Sequence, residues 1–175
     1  MADALAQQID LGLSELQIET APDAADRLAR LAHHLAAWAI RINLTGYREP
    51  SEIARRLLLD AAALATVLPS FRTAVDLGSG AGLPGLPLAV LFPTRHFRLV
   101  EARQRRHHYQ RAAIRELGIA NAEAILGRAE NLDPAPADLA LAQAMGPQAQ
   151  VLEWLCRWAL PGGLSLIHIS EPTRQ

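Results

Sequence analysis

The chain has no lysine. All 17 basic residues among its 175 are arginine, set against 18 acids. A GC-rich genome is the plain explanation for that bias. The functional one is that arginine's planar fork suits phosphate recognition, so position matters more than number. There is one cysteine, Cys156, which excludes internal disulfides and any cysteine-built zinc site. Its neighbours Trp154, Leu155 and Trp158 suggest a core residue rather than the nucleophile of carbon methylation. No run approaches the ~20 apolar residues of a membrane span. The N-terminus lacks the basic-then-apolar order of a secretory signal. A cytoplasmic protein, bound to no membrane and no metal, is expected. No Ser/His/Asp set, internal repeat or low-complexity tract is present. Half the residues are apolar, which suits one domain with a small helical extension.

What is present centres on Val75 to Ala89. Val75 and Leu77 read as the end of a buried parallel strand, and Gly78, Gly80 and Gly82 then alternate with Ser79 and Ala81. Pro84 or Pro87 suits the first turn of a following helix. Strand, glycine turn and helix together place backbone N–H groups at the carboxyl end of a sheet, where open α/β folds bind ligands. Gly80-x-Gly82-x-x-Gly85, with Glu101 further on, also satisfies the dinucleotide fingerprint. Against a dinucleotide stands Asp76, whose carboxylate would meet a pyrophosphate, together with a surplus glycine and a chain too short for a second domain. An acid at the strand end suits a cationic ligand with a ribose and no phosphate. S-adenosylmethionine fits that description, with Asp76 facing its methionine end and Glu101 accepting from the ribose hydroxyls.

Before the loop the periodicity is helical. Leu5, Ile9 and Leu13 share one face, and Leu28, Leu31, Leu35, Trp38 and Ile42 recur at steps of three and four. A further helix from Pro50 turns Ile53, Leu57, Ala61, Leu64 and Leu68 inward, and His33 and His34 read as solvated or boundary residues. From Thr73 strands are expected near 73–77, 96–101, 121–126 and 137–142, with helices near 84–92, 103–117 and 147–160. That alternation implies a parallel sheet.

The segment 95–115 carries Arg103, Arg105, Arg106, Arg111 and Arg115, with Glu101 its only acid. It reads equally as the wet face of a helix buried through Tyr109, Ala112, Ala113 and Leu117, or as a basic rim for RNA phosphates. Arg128 and Glu130 follow the third strand, where a backbone N–H and a carboxylate can read an adenine edge; as a mere surface pair they would contribute little. The loop from Ala142 to Pro147 is expected to face the transferable methyl group. It has no Asn-Pro-Pro-Tyr-like cluster for gripping an exocyclic amine. A ring nitrogen with a free lone pair, such as guanine N7, needs no proton removed, so alignment can supply most of the catalysis.

Trp38, Asn43 to Thr45, Asp60, the Val75 to Ala89 run, Arg105 with Arg106, and Arg128 to Glu130 together resemble the bacterial small-subunit rRNA 7-methylguanosine methyltransferases, the glucose-inhibited division protein B family. The likeness covers roughly residues 25–163. It implies an α/β, Rossmann-like class I methyltransferase fold with an N-terminal helical cap over 1–70 and a cofactor domain over 71–163. It also implies transfer from S-adenosylmethionine to a guanine N7 in 16S rRNA of the small ribosomal subunit, by a monomer. The cofactor set becomes Asp76, Gly78, Ser79, Gly80, Gly82, Leu83, Glu101, Ala129 and Glu130. Arg56, Arg103, Arg105 and Arg106 would meet RNA, and Asn43, Asp60 and Gln143 occupy the catalytic positions with no general base.

The sequence departs from the family pattern. The Arg-His-x-x-Asp-Ser motif reads Arg56, Leu57, then Asp60, Ala61, and Gln143 stands where the family has arginine. Leu164 to Arg174 resembles no family segment and reads like a translated sequencing adapter. The C-terminal strands are therefore expected to be truncated, with 164–175 a non-native tail whose apolar start could still occupy a fifth strand position. Two alternatives remain open: a weakened or inactive RNA- or nucleoside-binding paralogue, and a dinucleotide-binding oxidoreductase fragment.

Overall fold

A computed structural model describes residues 4–143 and 147–168. Helix α1 (Ala4–Glu15) buries Leu5, Ile9 and Leu13. Helix α2 (Ala24–Ala39) buries Leu28, Leu31 and Leu35, so the apolar spacing of both helices becomes their packed face. His33 is exposed, whereas His34 lies deeper than a boundary residue, its side chain 10% exposed and its ring stacked 5.6 Å from Tyr109.

The next helix is not continuous. Short α3 (Pro50–Ile53) runs into a π-helical turn (Ala54–Leu58), then α4 (Leu59–Ala63) and a 3-10 turn (Leu64–Thr66). A π-turn inserts a residue and rotates the turns beyond it about the helix axis. Leu58 is consequently the buried leucine, while Leu57, Leu64 and Leu68, expected to point inward, are only half-buried.

Five strands come next: β1 (Thr73–Leu77), β2 (His96–Glu101), β3 (Ala122–Leu126), β4 (Ala137–Gln143) and β5 (Ala159–His168). They form one parallel sheet in the order β3-β2-β1-β4-β5. Helices α5 (Gly85–Leu91), α6 (Gln104–Glu116) and α7 (Gln148–Trp158) connect them. The chain steps outward through β2 and β3, then returns to the far side of β1 with β4. The topological switch therefore falls between β1 and β4.

Successive strand residues face opposite sides, and two cores result. Ala74, Leu99 and Leu139 join α1, α2, α5 and the segment from Ile53 in one continuous core. The helical region thus shares the sheet's core and does not build its own. Val75, Leu77, Ala140 and Ala142 meet Val151, Leu155 and Trp158 of α7 on the other face. That register turns Cys156 outward; it is exposed, not a core residue. In β5, Leu164 to His168 pair with Leu139 to Gln143. Leu166 packs on the first core and Ile167 on the second. No helix among the described residues is long and apolar enough to cross a membrane.

Candidate functional site

The glycine loop leaves β1 with Gly78, Gly80 and Gly82 at φ of 62°, 54° and 75°, a region that side-chain-bearing residues adopt at a cost. The loop is held from three directions. From β2, the Glu101 carboxylate accepts the Gly80 N–H through Oε2 at 2.9 Å and the Arg103 N–H through Oε1 at 2.7 Å. From α6, the Gln110 amide donates to Ser79 Oγ at 2.8 Å and to the Gly80 carbonyl at 2.9 Å. From beneath, Asp76 Oδ2 accepts the Gly85 N–H at 2.9 Å. A Cβ on Gly85 would lie 2.9 Å from that same oxygen and 3.3 Å from Leu99, so only glycine lets α5 start this close to the sheet.

Asp76 is 1% exposed, and burial pushes its carboxyl well above the usual carboxylate range, with the Glu101 charge adding to the shift and the Gly85 N–H opposing it. Its Oδ1 is buried with no hydrogen-bond partner among the described residues. Asp76 and Ser79 therefore lie under the loop rather than on its open side.

Beside the loop is a cleft of about 330 Å³ across the carboxyl ends of β1, β2 and β3. Gly78, Glu101, Ala129 and Glu130 line it, four of the nine residues expected to hold a cofactor. The 127–130 loop is anchored from behind by α7: Trp158 Nε1 donates to the Ala129 carbonyl at 3.1 Å, and Arg157 to that of Glu130 at 3.0 Å. Arg128 and Glu130 stand 3.7 Å apart at the rim, an exposed pair of little energetic weight. Trp154, a half-buried α7 residue, completes the wall.

Two arginines assigned to RNA belong to this cleft. Arg103 lines it. Arg106 lines it too; its Nη2 donates to the Asn43 carbonyl at 3.3 Å, and its Nη1 lies 3.7 Å from where a Gly80 Cβ would stand. Arg106 thus ties the cap loop to α6 and lies close beside Gly80. Arg105 is exposed, and Arg56 is exposed with its guanidinium 5.6 Å from the Tyr47 ring centre.

Leu83 faces a separate, smaller space. With Leu57, Asp60, Leu64 and Gln143 it encloses about 10 Å³, roughly enough for one water. Asp60 and Gln143 are thereby brought together, while Asn43 contributes its backbone carbonyl at the cleft side. Gly82 lines neither space; a Cβ on it would run into the Leu86 side chain. Residues 144–146, expected to face the methyl group, lie outside the described residues.

Gln110 was not singled out in the sequence, and Trp154 only as a neighbour of Cys156. Gln110 had a signal: it follows Tyr109 on the inward face of α6, where an amide needs partners. Trp154 had none beyond its place in α7.

A carboxylate at the end of β2, beside an open glycine turn at the carboxyl edge of the sheet, fits a ribose-bearing cofactor. The family model described as "GidB: rRNA small subunit methyltransferase G" matches residues 24–170, seven residues into the segment set apart at 164. The ribosomal RNA small subunit methyltransferase G of Chromohalobacter salexigens is 35% identical over 153 residues, covering 87% of this chain and 73% of that one. The protein of the same description from Kineococcus radiotolerans is 41% identical over 141 residues, covering 79% and 54%. Among solved structures, a SAM-dependent methyltransferase from Geobacter sulfurreducens in complex with S-adenosyl-L-homocysteine superposes with a TM-score of 0.53 at 25% identity, covering 78% of this chain and 53% of that one. Coclaurine N-methyltransferase shares the fold at a TM-score of 0.58 and 18% identity.

Proposed function

The chain belongs to the rRNA small subunit methyltransferase G family, S-adenosylmethionine-dependent methyltransferases, and on that premise we propose that it methylates N7 of a guanine in the 16S RNA of the small ribosomal subunit. The observation that carries the cofactor half is one cleft bringing together Glu101, Gly78 and the 127–130 loop at the carboxyl edge of a parallel sheet. Bound S-adenosylmethionine would supply an electrophilic methyl group on a sulfonium.

The remaining work falls to this chain's own residues. Glu101 accepts from the ribose hydroxyls. The Ala129 backbone and the Glu130 carboxylate meet the adenine edge. Asp76, beneath the loop, holds the glycine turn in shape through the Gly85 N–H. Asp60 and Gln143, with Leu57 and Leu83 about them, define where the base arrives. No general base is assigned there, which suits a nucleophile with a free lone pair and leaves positioning as the main catalytic contribution.

Leu57 and Gln143 support a second reading, a chain that binds cofactor and RNA but transfers slowly. One assay decides between them: tritiated methyl transfer to undermethylated small subunits, with the product mapped by chain cleavage at 7-methylguanosine. Stoichiometric transfer at one guanine is the expected result. Transfer to another atom overturns the N7 assignment, and cofactor binding without transfer establishes the second reading.

A further inference from the structure

Away from the cofactor cleft, α2, α6 and β3 enclose a groove of about 490 Å³ that the proposed chemistry does not use. Its floor is aromatic: Trp38 and His108 are both half-buried, with ring centres 6.4 Å apart and planes tilted by 42°. Its edge is basic. His108, Arg111 and Arg115 recur at steps of three and four along α6 and so share one face. The groove's two acids are already engaged. Glu116 lies 3.3 Å from both His34 and Arg115, and Glu123 lies 3.5 Å from His96. Arg111 is exposed and meets no acid among the described residues. The same helix reaches both sites: Arg106 of α6 lines the cleft, and His108, Arg111 and Arg115 line the groove.

We infer that this groove docks a single-stranded stretch of the RNA substrate, one unpaired base resting on Trp38 and His108 and the phosphates beyond it held by Arg111 and Arg115. The inference rests on the proposed RNA substrate and names a surface that recognises it. A ring platform beside a row of arginines is the arrangement by which single strands are held with little regard to sequence. A duplex cannot splay a base onto it.

The test uses the full chain and a short fluorescein-labelled single-stranded RNA, titrated by anisotropy over a range of salt. Trp38 also packs 5.8 Å from Tyr109, so the variants are His108→Ala and the double substitution Arg111→Gln/Arg115→Gln. Removing both arginines should lower the salt slope of log affinity by about 1.4, at ~0.7 per phosphate contact. His108→Ala should weaken binding roughly fivefold or more, and the wild type should prefer the single strand to its duplex. Calorimetry against S-adenosylhomocysteine should be unchanged in both variants. Unchanged RNA affinity and slope overturn the inference, as does equal binding of the duplex. Loss of binding to whole subunits with free RNA unaffected assigns the face to a ribosomal protein and overturns it equally. Methyl transfer by the wild type is scored separately. Transfer with an indifferent groove sinks only the groove, and groove binding without transfer sinks only the reaction.

Discussion

Gln110 of α6 and Ser79 of the glycine loop are joined by a hydrogen bond of 2.8 Å, with the Gly80 carbonyl accepting from the same amide at 2.9 Å. The amide is fully buried, so the loop's shape depends on a side chain about thirty residues beyond it. Gln110→Leu removes both bonds and strands the partners, a loss of about 1–3 kcal/mol in stability. Affinity for S-adenosylhomocysteine should fall with it, because Gly78 and Gly80 lose their fixed geometry. Urea denaturation and calorimetry measure the two. Stability equal to the wild type would show that the loop holds itself.

Glu101→Ala carries a double effect. Reasoning from its position at the strand end anticipates loss of cofactor binding with little loss of fold. The geometry adds a structural cost, since the carboxylate also accepts from Gly80 and Arg103. Hydrogen bonds to a charged group contribute ~1.5–3 kcal/mol each. Affinity should therefore drop roughly tenfold or more, and the melting temperature should fall as well. Glu101→Gln keeps an acceptor for one of the two N–H groups and should restore most of the stability but less of the affinity. Unchanged affinity in the alanine variant would remove Glu101 from the site.

Two carboxylates make stability depend on pH with opposite sign. Burial raises Asp76 in the folded state, so the folded form holds a proton that the unfolded one has released. Its contribution is present below the unfolded value of about 3.9 and is lost as pH rises through the elevated folded value. Asp138 is lowered, because it accepts the backbone N–H groups of Arg72 and Thr73, each at 2.9 Å. Its contribution is present above about 3.9 and is lost as pH falls through the depressed value. Asp76→Asn should therefore gain on the wild type as pH is raised from acid to neutral, and Asp138→Asn should fall further behind. Melting curves across that range check both, and a pH-independent difference for either variant refutes its half.

Gln143→Arg should raise methyl transfer more than cofactor affinity. Gln143 shares a wall with Asp60 and Leu83 in a space lined by none of the cofactor cleft's residues. A cation there acts on the RNA side of the reaction. Single-turnover transfer to small subunits would show the gain. No gain, or an equal gain from Leu57→His alone, places the defect elsewhere.

Leu166 tests the fifth strand. It pairs with Leu141 and packs on the main core. Leu166→Asp would set a charge against that core and should cost about 2 kcal/mol or more. If the chain from 164 were a passive tail, its melting would not change.

Much of this protein was determined by its sequence alone. The apolar spacing of α1 and α2, the alternation of strand and helix from Thr73, and the glycine run ending β1 are local patterns, and local patterns determine element type because backbone geometry repeats with short periods. Glu101 was legible for the same reason: a fixed number of residues separates one strand end from the next. What only the tertiary structure decided were relations with no period. The π-turn exchanged Leu57 for Leu58 in the core. The register of α7 turned Cys156 out and Trp154 toward the cleft. Arg106 folded back onto Asn43 and Gly80, although nothing in its sequence setting separates it from the exposed Arg105. Asp76 went beneath the loop because one of its oxygens was taken by Gly85 nine residues on. Each of these outcomes depends on which long-range partner reaches a buried polar group or an empty volume first, and packing sets that only when the whole chain is folded.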